Sequence, residues 1–134
     1  MENSAVLIDT SIIINHLRSK LKEKTNFQKA VEKYEKCYMS SITVFEVEFG
    51  AFRAGRSSDL EDLFPIVEIL PFNKREAEMS AKIHADLVGR NLPIGIRDAF
   101  IAGTCLAHDI PILTENIEHF QRVTGLKLAK VDKQ

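Results

Sequence analysis

The sequence predicts an α/β fold built on a mainly parallel sheet of roughly five strands. Short, continuous apolar segments such as residues 5–9 have the pattern of strands that are covered on both faces. Amphipathic segments with helical spacing lie between them, as in residues 74–91. Short apolar strands that alternate with helices are typical of right-handed βαβ units, and hence of a parallel sheet.

Five segments of the chain are predicted as strands. The first ends at a carboxylate, Asp9, the third is closed by a turn at Pro71, and the fourth ends at Thr114. Ligands of open parallel sheets bind beyond the carboxyl ends of the strands, so we expect Asp9 and Thr114 to face one crevice. In chain order, the predicted strands cover residues 5–9, 37–40, 66–72, 111–114 and 126–131.

Six segments are predicted as helices, and hydroxyl or proline residues mark several of their ends. Thr10 or Ser11 can cap the first helix, and Thr43 can cap the third. Pro65 follows a short polar helix and ends it. The first helix begins at residue 12, and the others cover residues 25–36, 44–54, 57–63, 74–91 and 98–108. The apolar stripe of the helix at 74–91 is predicted to contain Ala77, Ala81, His84, Leu87 and Val88.

Length and composition indicate one globular domain that spans residues 1–134. The formal net charge of −1 argues against bulk electrostatic capture of nucleic acid. Cys37 and Cys105 lie far apart without a C-x-x-C partner, which is typical of buried thiols in a reducing compartment. Residues 1–3 carry no basic residue, and no window approaches the ~18 apolar residues of a membrane span. We therefore expect a cytoplasmic protein.

Three acidic residues from separate parts of the chain are candidates for a functional site. Asp9 follows an apolar strand, where a buried charge needs a partner. Glu46 lies one helical turn before Gly50, a costly mid-helix glycine that indicates a close approach, although spacing does not exclude Glu48. Asp98 opens an apolar helix. The ordinary structural alternatives are helix caps for Asp9 and Asp98, and a solvated surface position for Glu46.

Carboxylates that converge from distant parts of a chain repel one another unless a cation lies between them. Hard oxygen ligands suit Mg²⁺ or Mn²⁺, and such ions activate water and stabilise the leaving oxygen of a phosphodiester. Zinc is disfavoured because the four histidines lack the spacing of zinc ligands. The motifs GxxxxGK[ST], GxGxxG and GxSxG are absent, which excludes the commonest phosphate-loop, dinucleotide and serine-hydrolase sites.

Three segments together resemble the PIN-domain family, and specifically its VapC-type toxins. They are VLIDTS, ITVFEVEFG and LPIGIRDAFIAGTCLAHDIPILTENIEHF, and their order and spacing cover nearly the whole chain. The resemblance implies a three-layer α/β/α sandwich around the parallel sheet. It also implies a Mg²⁺- or Mn²⁺-dependent endoribonuclease that acts as the toxin of a type II toxin–antitoxin pair.

The resemblance also assigns roles to individual residues, and it favours Glu46 over Glu48. The catalytic, metal-binding carboxylates would be Asp9, Glu46 and Asp98. Hydroxyls beside the ion would come from Thr10 or Ser11, and from Thr114.

The chain departs from the family at a fourth acidic position. Family members usually carry that acid two or five places after the strand-ending threonine, where this chain has Asn116 and His119. Asn116 could supply a carbonyl oxygen, Glu115 or Glu118 could turn inward, or the mechanism could use a single ion. These alternatives stay open at the level of sequence.

Basic side chains near the proposed ligands are expected to contact RNA phosphates, namely Arg53, Arg56 and Arg97. Residues 18–36 carry a local excess of positive charge, which we interpret as a solvated helix face. At least two of the three aromatic residues Phe45, Phe49 and Phe52 are predicted to lie in the core.

The resemblance implies a homodimer and a VapB-type antitoxin partner, in addition to the RNA substrate. A rival hypothesis is a non-catalytic PIN-like module that binds RNA or protein and whose metal site is degraded.

Overall fold

A computed structural model describes residues 4–131 and has a parallel sheet at its centre. The strands are β1 (Ala5–Ile8), β2 (Lys36–Ser40), β3 (Glu68–Leu70) and β4 (Ile112–Leu113). They lie in the order β3-β2-β1-β4, and each neighbouring pair is parallel, as predicted. Residues 1–3, whose composition argued against a secretory leader, lie outside the described part of the chain.

Helices cover both faces of the sheet and complete three layers. The helices are α1 (Thr10–Arg18), α2 (Asn26–Lys33), α3 (Ser41–Ala54), α4 (Lys74–Gly89), α5 (Ile96–His108) and α6 (Ile117–Phe120). Val6 and Ile8 of β1 pack with residues of α1 and α2, whereas Leu7 packs with residues of α4 and α5. This division follows from the alternation of side chains along a strand, and it confirms the predicted α/β/α sandwich. None of the described helices is long and apolar enough to cross a membrane.

The predicted fifth strand at residues 126–131 is wrong in extent. Its only ladder contact among the described residues is one isolated parallel bridge between Ile112 and Leu128. The Ile112 backbone N–H donates to the Lys127 carbonyl, and the Ala129 N–H donates to the Ile112 carbonyl. Because β4 is only two residues long, it offers a single residue for pairing at this edge. The sheet therefore has four strands.

Several predicted element ends also move. The first helix begins at Thr10, with Asp9 rather than Thr10 or Ser11 at its N-cap position. Ser40, not Thr43, caps α3, because its Oγ accepts a hydrogen bond from the Thr43 backbone N–H. The third strand is shorter than predicted, since Pro65 lies in a 3₁₀ turn, Phe64–Ile66, that precedes it.

Two short segments differ in kind from the prediction. The polar helix expected at residues 57–63 is a 3₁₀ turn, Ser57–Leu60. Only Leu60 and Leu63 of that segment are buried, which is too little apolar surface to hold a longer helix. Helix α6 has four residues and escaped the sequence analysis, because periodicity needs a window of about 11 residues.

The buried face of α4 is more polar than predicted. Ala77, Ala81 and Val88 of the predicted stripe are exposed. The buried residues of this helix are Glu76, Ser80, Ile83 and Leu87. The Glu76 carboxylate accepts hydrogen bonds from the Asn73 backbone N–H at 2.9 Å and from His108 Nε2 at 2.7 Å, so its burial is compensated.

Helices α4 and α5 approach so closely that only glycine fits at residue 103. A Cβ atom added to Gly103 would lie 2.0 Å from Ser80 Oγ and 2.7 Å from the Ser80 backbone N and Cα atoms. Rotation of the serine side chain cannot relieve the two backbone contacts. The position of α5, which carries Asp98, therefore depends on this contact.

We expect Gly103→Ala to lower the free energy of unfolding by about 1–3 kcal/mol, because α4 must move away from α5. Urea denaturation of the metal-free protein measures this change. The matched control is Gly50→Ala, whose added Cβ meets nothing within 4 Å and which should gain about 0.5–1 kcal/mol from helix propensity. Unchanged stability of Gly103→Ala would contradict the close packing.

Candidate active site

Asp9 lies where the sequence predicted, at the carboxyl end of the central strand, but it is only 2% exposed. One carboxylate oxygen, Oδ2, accepts hydrogen bonds from Thr114 Oγ1 at 2.7 Å and Ser11 Oγ at 3.0 Å. The other oxygen, Oδ1, is buried without a partner among the described residues. The side chain makes no capping bond to α1, so the helix-cap alternative does not explain this residue.

The burial of Asp9 has an electrostatic consequence. Burial raises the pKa of the Asp9 carboxyl above its usual value, although the hydrogen bonds from Thr114 and Ser11 oppose the rise. The negative charge of Asp98 adds to the increase in this pKa, which places the two acids within electrostatic reach of each other. A cation beside Oδ1 would oppose both effects, because it favours the ionised form of the carboxyl.

Glu46 projects from α3 toward the same edge of the sheet. Thr10 Oγ1 donates a hydrogen bond to Glu46 Oε1, and Arg97 Nε donates to Glu46 Oε2. Glu48, the competitor that spacing left open, instead lines a separate hollow beside Phe64. The structure therefore brings Glu46 rather than Glu48 to the neighbours of Asp9. Apart from the helix backbone and the adjacent residues, no atom of the described residues lies within 4 Å of a Cβ added at Gly50, so the close approach predicted there does not occur within residues 4–131.

Asp98 is buried in the first turn of α5. Its helix begins at Ile96 with Gly95 at the N-cap position, so the prediction of a helix start at Asp98 is wrong. Asp98 Oδ1 accepts from Arg97 Nη1 at 2.6 Å, and Oδ2 lies 3.1 Å from Asn116 Nδ2 and 3.0 Å from His119 Nδ1. Both oxygens of the Asp98 carboxylate therefore have side-chain partners.

A chain of hydrogen bonds joins the three acids, which we call the acidic cluster (Asp9, Glu46 and Asp98). On one side, Thr114 bonds to Asp9 and accepts from the Asn116 backbone N–H, and the Asn116 side chain bonds to Asp98. On the other side, Arg97 bridges Asp98 and Glu46. The acids come from three distant segments, so the fold itself assembles them.

The acidic cluster fits a hard divalent cation in its chemistry. Its ligands are carboxylate and hydroxyl oxygens, and Asp9 Oδ1 is a buried acceptor that lacks a donor. Within residues 4–131, no three His, Cys, Asp or Glu side chains stand close enough to hold a metal ion without rearrangement. Arg97 provides a physical reason, because its guanidinium already occupies oxygens of Glu46 and Asp98.

The residues at the two places where the family usually carries its fourth acid contact Asp98 directly. Asn116 and His119 both contact Asp98 Oδ2, and they lie 2.9 Å from each other. Glu115 instead lies near Asn26, and Glu118 pairs with Arg122 at 3.8 Å. The two glutamates therefore face away from the acidic cluster in this structure.

A groove of about 500 Å³ opens beside Glu46, between α1, α3 and the 3₁₀ turn that follows α3. Four basic residues line it, namely Arg18, Lys20, Lys22 and Arg56. The first three belong to residues 18–36, which we interpreted as a solvated helix face. The excess of positive charge identified this segment, but it did not predict that these residues line a groove beside Glu46. Of the other predicted phosphate contacts, Arg53 lies over the Phe49 ring, and Arg97 faces the acids.

The aromatic residues of α3 are not core residues, and that prediction is wrong. Phe45, Phe49 and Phe52 are 68%, 53% and 69% exposed. The rings of Phe45 and Phe49 stack with their centroids 6.1 Å apart. The buried face of α3 is formed instead by Thr43 and Val47, because the helix packs on the sheet through its other side.

Comparison with known proteins agrees with the fold and identifies the family. The PIN domain family matches residues 6–126. Ribonuclease VapC of Rickettsia bellii (strain RML369-C) is 31% identical over 94% of this chain and 96% of its own. The tRNA(fMet)-specific endonuclease VapC of Shigella flexneri is 27% identical over 90% of this chain and 93% of its own. The solved structure of VapBC-1 from nontypeable Haemophilus influenzae has a TM-score of 0.82 at 27% identity, covering 96% and 99% of the two chains.

The chain belongs to the PIN-domain family. Within that family it is similar to the proteins named VapC, as the sequence predicted.

Asparagine substitutions should affect Asp9 and Asp98 in opposite directions. Because burial raises the pKa of Asp9 above 3.8, ionisation of Asp9 opposes folding at neutral pH, and this cost disappears as the pH falls toward 3.8. We expect Asp9→Asn to raise the unfolding free energy of the metal-free protein at pH 7, because the variant avoids the cost of ionising a buried carboxyl. The gain should shrink as the pH is lowered.

Asp98→Asn is the matched control, because it removes a charge that pairs with Arg97, and it should lower stability. Urea denaturation in the presence of a chelator, at several pH values, measures both effects. A loss of stability in Asp9→Asn at pH 7 would show that its unpartnered oxygen carries no cost.

Proposed function

We propose that this chain is a Mg²⁺-dependent endoribonuclease, with Mn²⁺ as an alternative ion, that acts as the toxin of a toxin–antitoxin pair. The relatives' names confirm the prediction of a VapC-type ribonuclease. The observation that supports the metal-dependent mechanism is the buried Oδ1 atom of Asp9, which has no partner among the described residues and lies within electrostatic reach of Asp98, a second buried acid. A buried carboxylate oxygen without a hydrogen bond is costly unless a cation completes it.

In the proposed mechanism, Asp9, Glu46 and Asp98 hold the ion. A divalent ion at this place supplies the activation of water and the stabilisation of the leaving oxygen in phosphodiester hydrolysis. Thr114 and Ser11 orient the Asp9 carboxylate through its Oδ2 atom, and Thr10 orients Glu46.

The basic residues of the groove are proposed to receive the RNA backbone. Arg18, Lys20 and Arg56 face this groove, and Glu46 forms part of the same wall. Contacts to phosphates position a nucleic acid without selecting its sequence, so these residues would place a strand across the acidic cluster. Transfer RNA is the first substrate class to test, since two VapC relatives are named tRNA(fMet)-specific endonucleases.

The exposed aromatic face of α3 supports a protein partner. Three phenylalanines on one helix face form an apolar patch that is typical of a surface covered in a complex. We propose a VapB-type antitoxin as the partner, in agreement with similarity to the chain of a VapBC structure. A homodimer and a cytoplasmic site of action complete the proposal.

Glu46→Gln should abolish RNA cleavage, whereas Glu48→Gln should leave it within about twofold of the wild-type rate. Both changes remove one charge from α3, but only Glu46 contacts Thr10 and Arg97. Cleavage of total RNA and of purified transfer RNA is followed in a chelator and after addition of Mg²⁺ or Mn²⁺. Loss of a ligand typically costs several orders of magnitude in rate.

The same assay separates the enzyme from the rival binding module. Cleavage that returns when Mg²⁺ is added after chelation supports the enzyme. Metal-independent binding of RNA without cleavage, in wild-type protein of native fold, would support the non-catalytic module. Equal activity of Glu46→Gln and wild-type protein would refute the proposed ligand set.

A further inference from the structure

Arg97 is the feature of the site that neither metal binding nor hydrolysis explains. Its Nε donates to Glu46 Oε2 and its Nη1 donates to Asp98 Oδ1, so one guanidinium links acids from two different helices. Among the described residues, it is the only cationic side chain that bonds to two members of the acidic cluster. A planar, permanently charged fork is well suited to this task.

We propose that Arg97 is a built-in counterion of the metal-free site, which competes with the divalent ion for the oxygens of Glu46 and Asp98. This inference rests on the proposed metal-dependent function. Each carboxylate oxygen has more than one lone pair, but a divalent ion on these oxygens would repel the guanidinium, so the two cations compete for them. Arg97 therefore bridges Glu46 and Asp98 in the metal-free state, and it is neither a ligand of the ion nor a catalytic residue.

The exposure of the Arg97 side chain allows its guanidinium to move away from Glu46 and Asp98. Its side chain is 48% exposed, whereas the carboxylate of Asp98 is almost wholly buried. Arg97 is the second residue of α5, so its backbone is fixed while its long side chain can rotate outward. Ion pairs of such exposure are individually weak, and a divalent ion at three carboxylates can outcompete them.

Arg97 bonds to two of the three acids of the acidic cluster, and the third acid is Asp9. Its contacts reach Glu46 and Asp98, but Asp9 Oδ1 has no partner within residues 4–131. The single positive charge of Arg97 thus offsets part of the negative charge of the two acids that come from helices, and the acid at the end of β1 retains its attraction for a cation. Removal of Arg97 should therefore increase the affinity of the site for a divalent ion rather than decrease it.

The test measures Mn²⁺ binding to RNA-free protein by isothermal titration calorimetry. We expect Arg97→Gln to bind Mn²⁺ about fivefold to tenfold more tightly than the wild-type protein. The same variant should have a lower melting temperature without metal, because Glu46 and Asp98 then lose their counterion. Arg97→Lys, which keeps the charge but loses the fork, should give an intermediate affinity.

Arg90→Gln is the matched control. Arg90 pairs with Asp86 on α4 and is 44% exposed, so this variant loses a surface ion pair of similar exposure outside the acidic cluster. Its Mn²⁺ affinity should equal that of the wild-type protein. A general effect of net charge would instead tighten Mn²⁺ binding in both glutamine variants, and would overturn the inference.

The outcomes distinguish this inference from the proposed function. Equal or weaker Mn²⁺ binding by Arg97→Gln, with clear binding by the wild-type protein, would overturn the competition and leave the metal-dependent function standing. Absence of Mn²⁺ binding by wild-type protein and by both Arg97 variants would refute the metal site itself, and the inference with it. A merely structural role for Arg97 predicts weaker binding, which is the opposite sign.

Discussion

The position of Asp9 at the end of a central strand constrains the rest of the structure. Its backbone N–H donates to the Leu113 carbonyl at 2.9 Å, so its backbone is held at the edge of the sheet. The carboxylate is then buried by α1 and by the segment that follows β4. Such a charge persists in a fold only if its surroundings compensate it or if a cation completes it.

Part of the compensation comes from the Thr114 and Ser11 hydroxyls, which donate to Asp9 Oδ2. A second group of hydroxyls serves the neighbouring acid, Glu46. Thr10 Oγ1 lies 2.8 Å from Thr43 Oγ1, and Ser40 Oγ lies 3.4 Å from the same Thr43 atom. Because Thr10 donates to Glu46, this small network connects the start of α1 to the start of α3. Hydroxyl groups can both donate and accept, so they adapt to a carboxylate that changes partners. Fixed amide or ammonium donors would not.

The sequence predicted well those parts of the fold in which the pattern of apolar and polar residues fits only one arrangement. Continuous apolar runs predicted the buried parallel strands, and polar residues after β1 and β4 predicted the functional edge of the sheet. The errors arose where a pattern of apolar residues fits more than one arrangement. Alanines and Val88 on α4 have helical spacing, but the helix buries Ser80 and Glu76 because α5 approaches through Gly103. No periodicity rule contains that contact, which depends on a residue 23 positions away.

The site shows the same limit. Composition and spacing suggested three acids, but they could not choose between Glu46 and Glu48, and a resemblance was needed for that choice. The pairing of Arg97 with two acids depends on how α5 lies against α3, so a basic residue near the site was interpreted as a phosphate contact. The tertiary structure decides whether a charged side chain binds a ligand or pairs with a neighbouring residue.

Helix α3 connects the reactive centre to the outer surface. Its inner side places Glu46 against Thr10, and its outer side carries Phe45, Phe49 and Phe52. Successive residues of a helix lie 100° apart, so Phe45 and Glu46 can face different surroundings while they share one rigid backbone. Anything that packs on the aromatic face therefore contacts the element that positions a proposed ligand. A partner on that face would bias the site without entering the crevice, since a shift of the helix moves Glu46 relative to Asp9, which is held in the sheet.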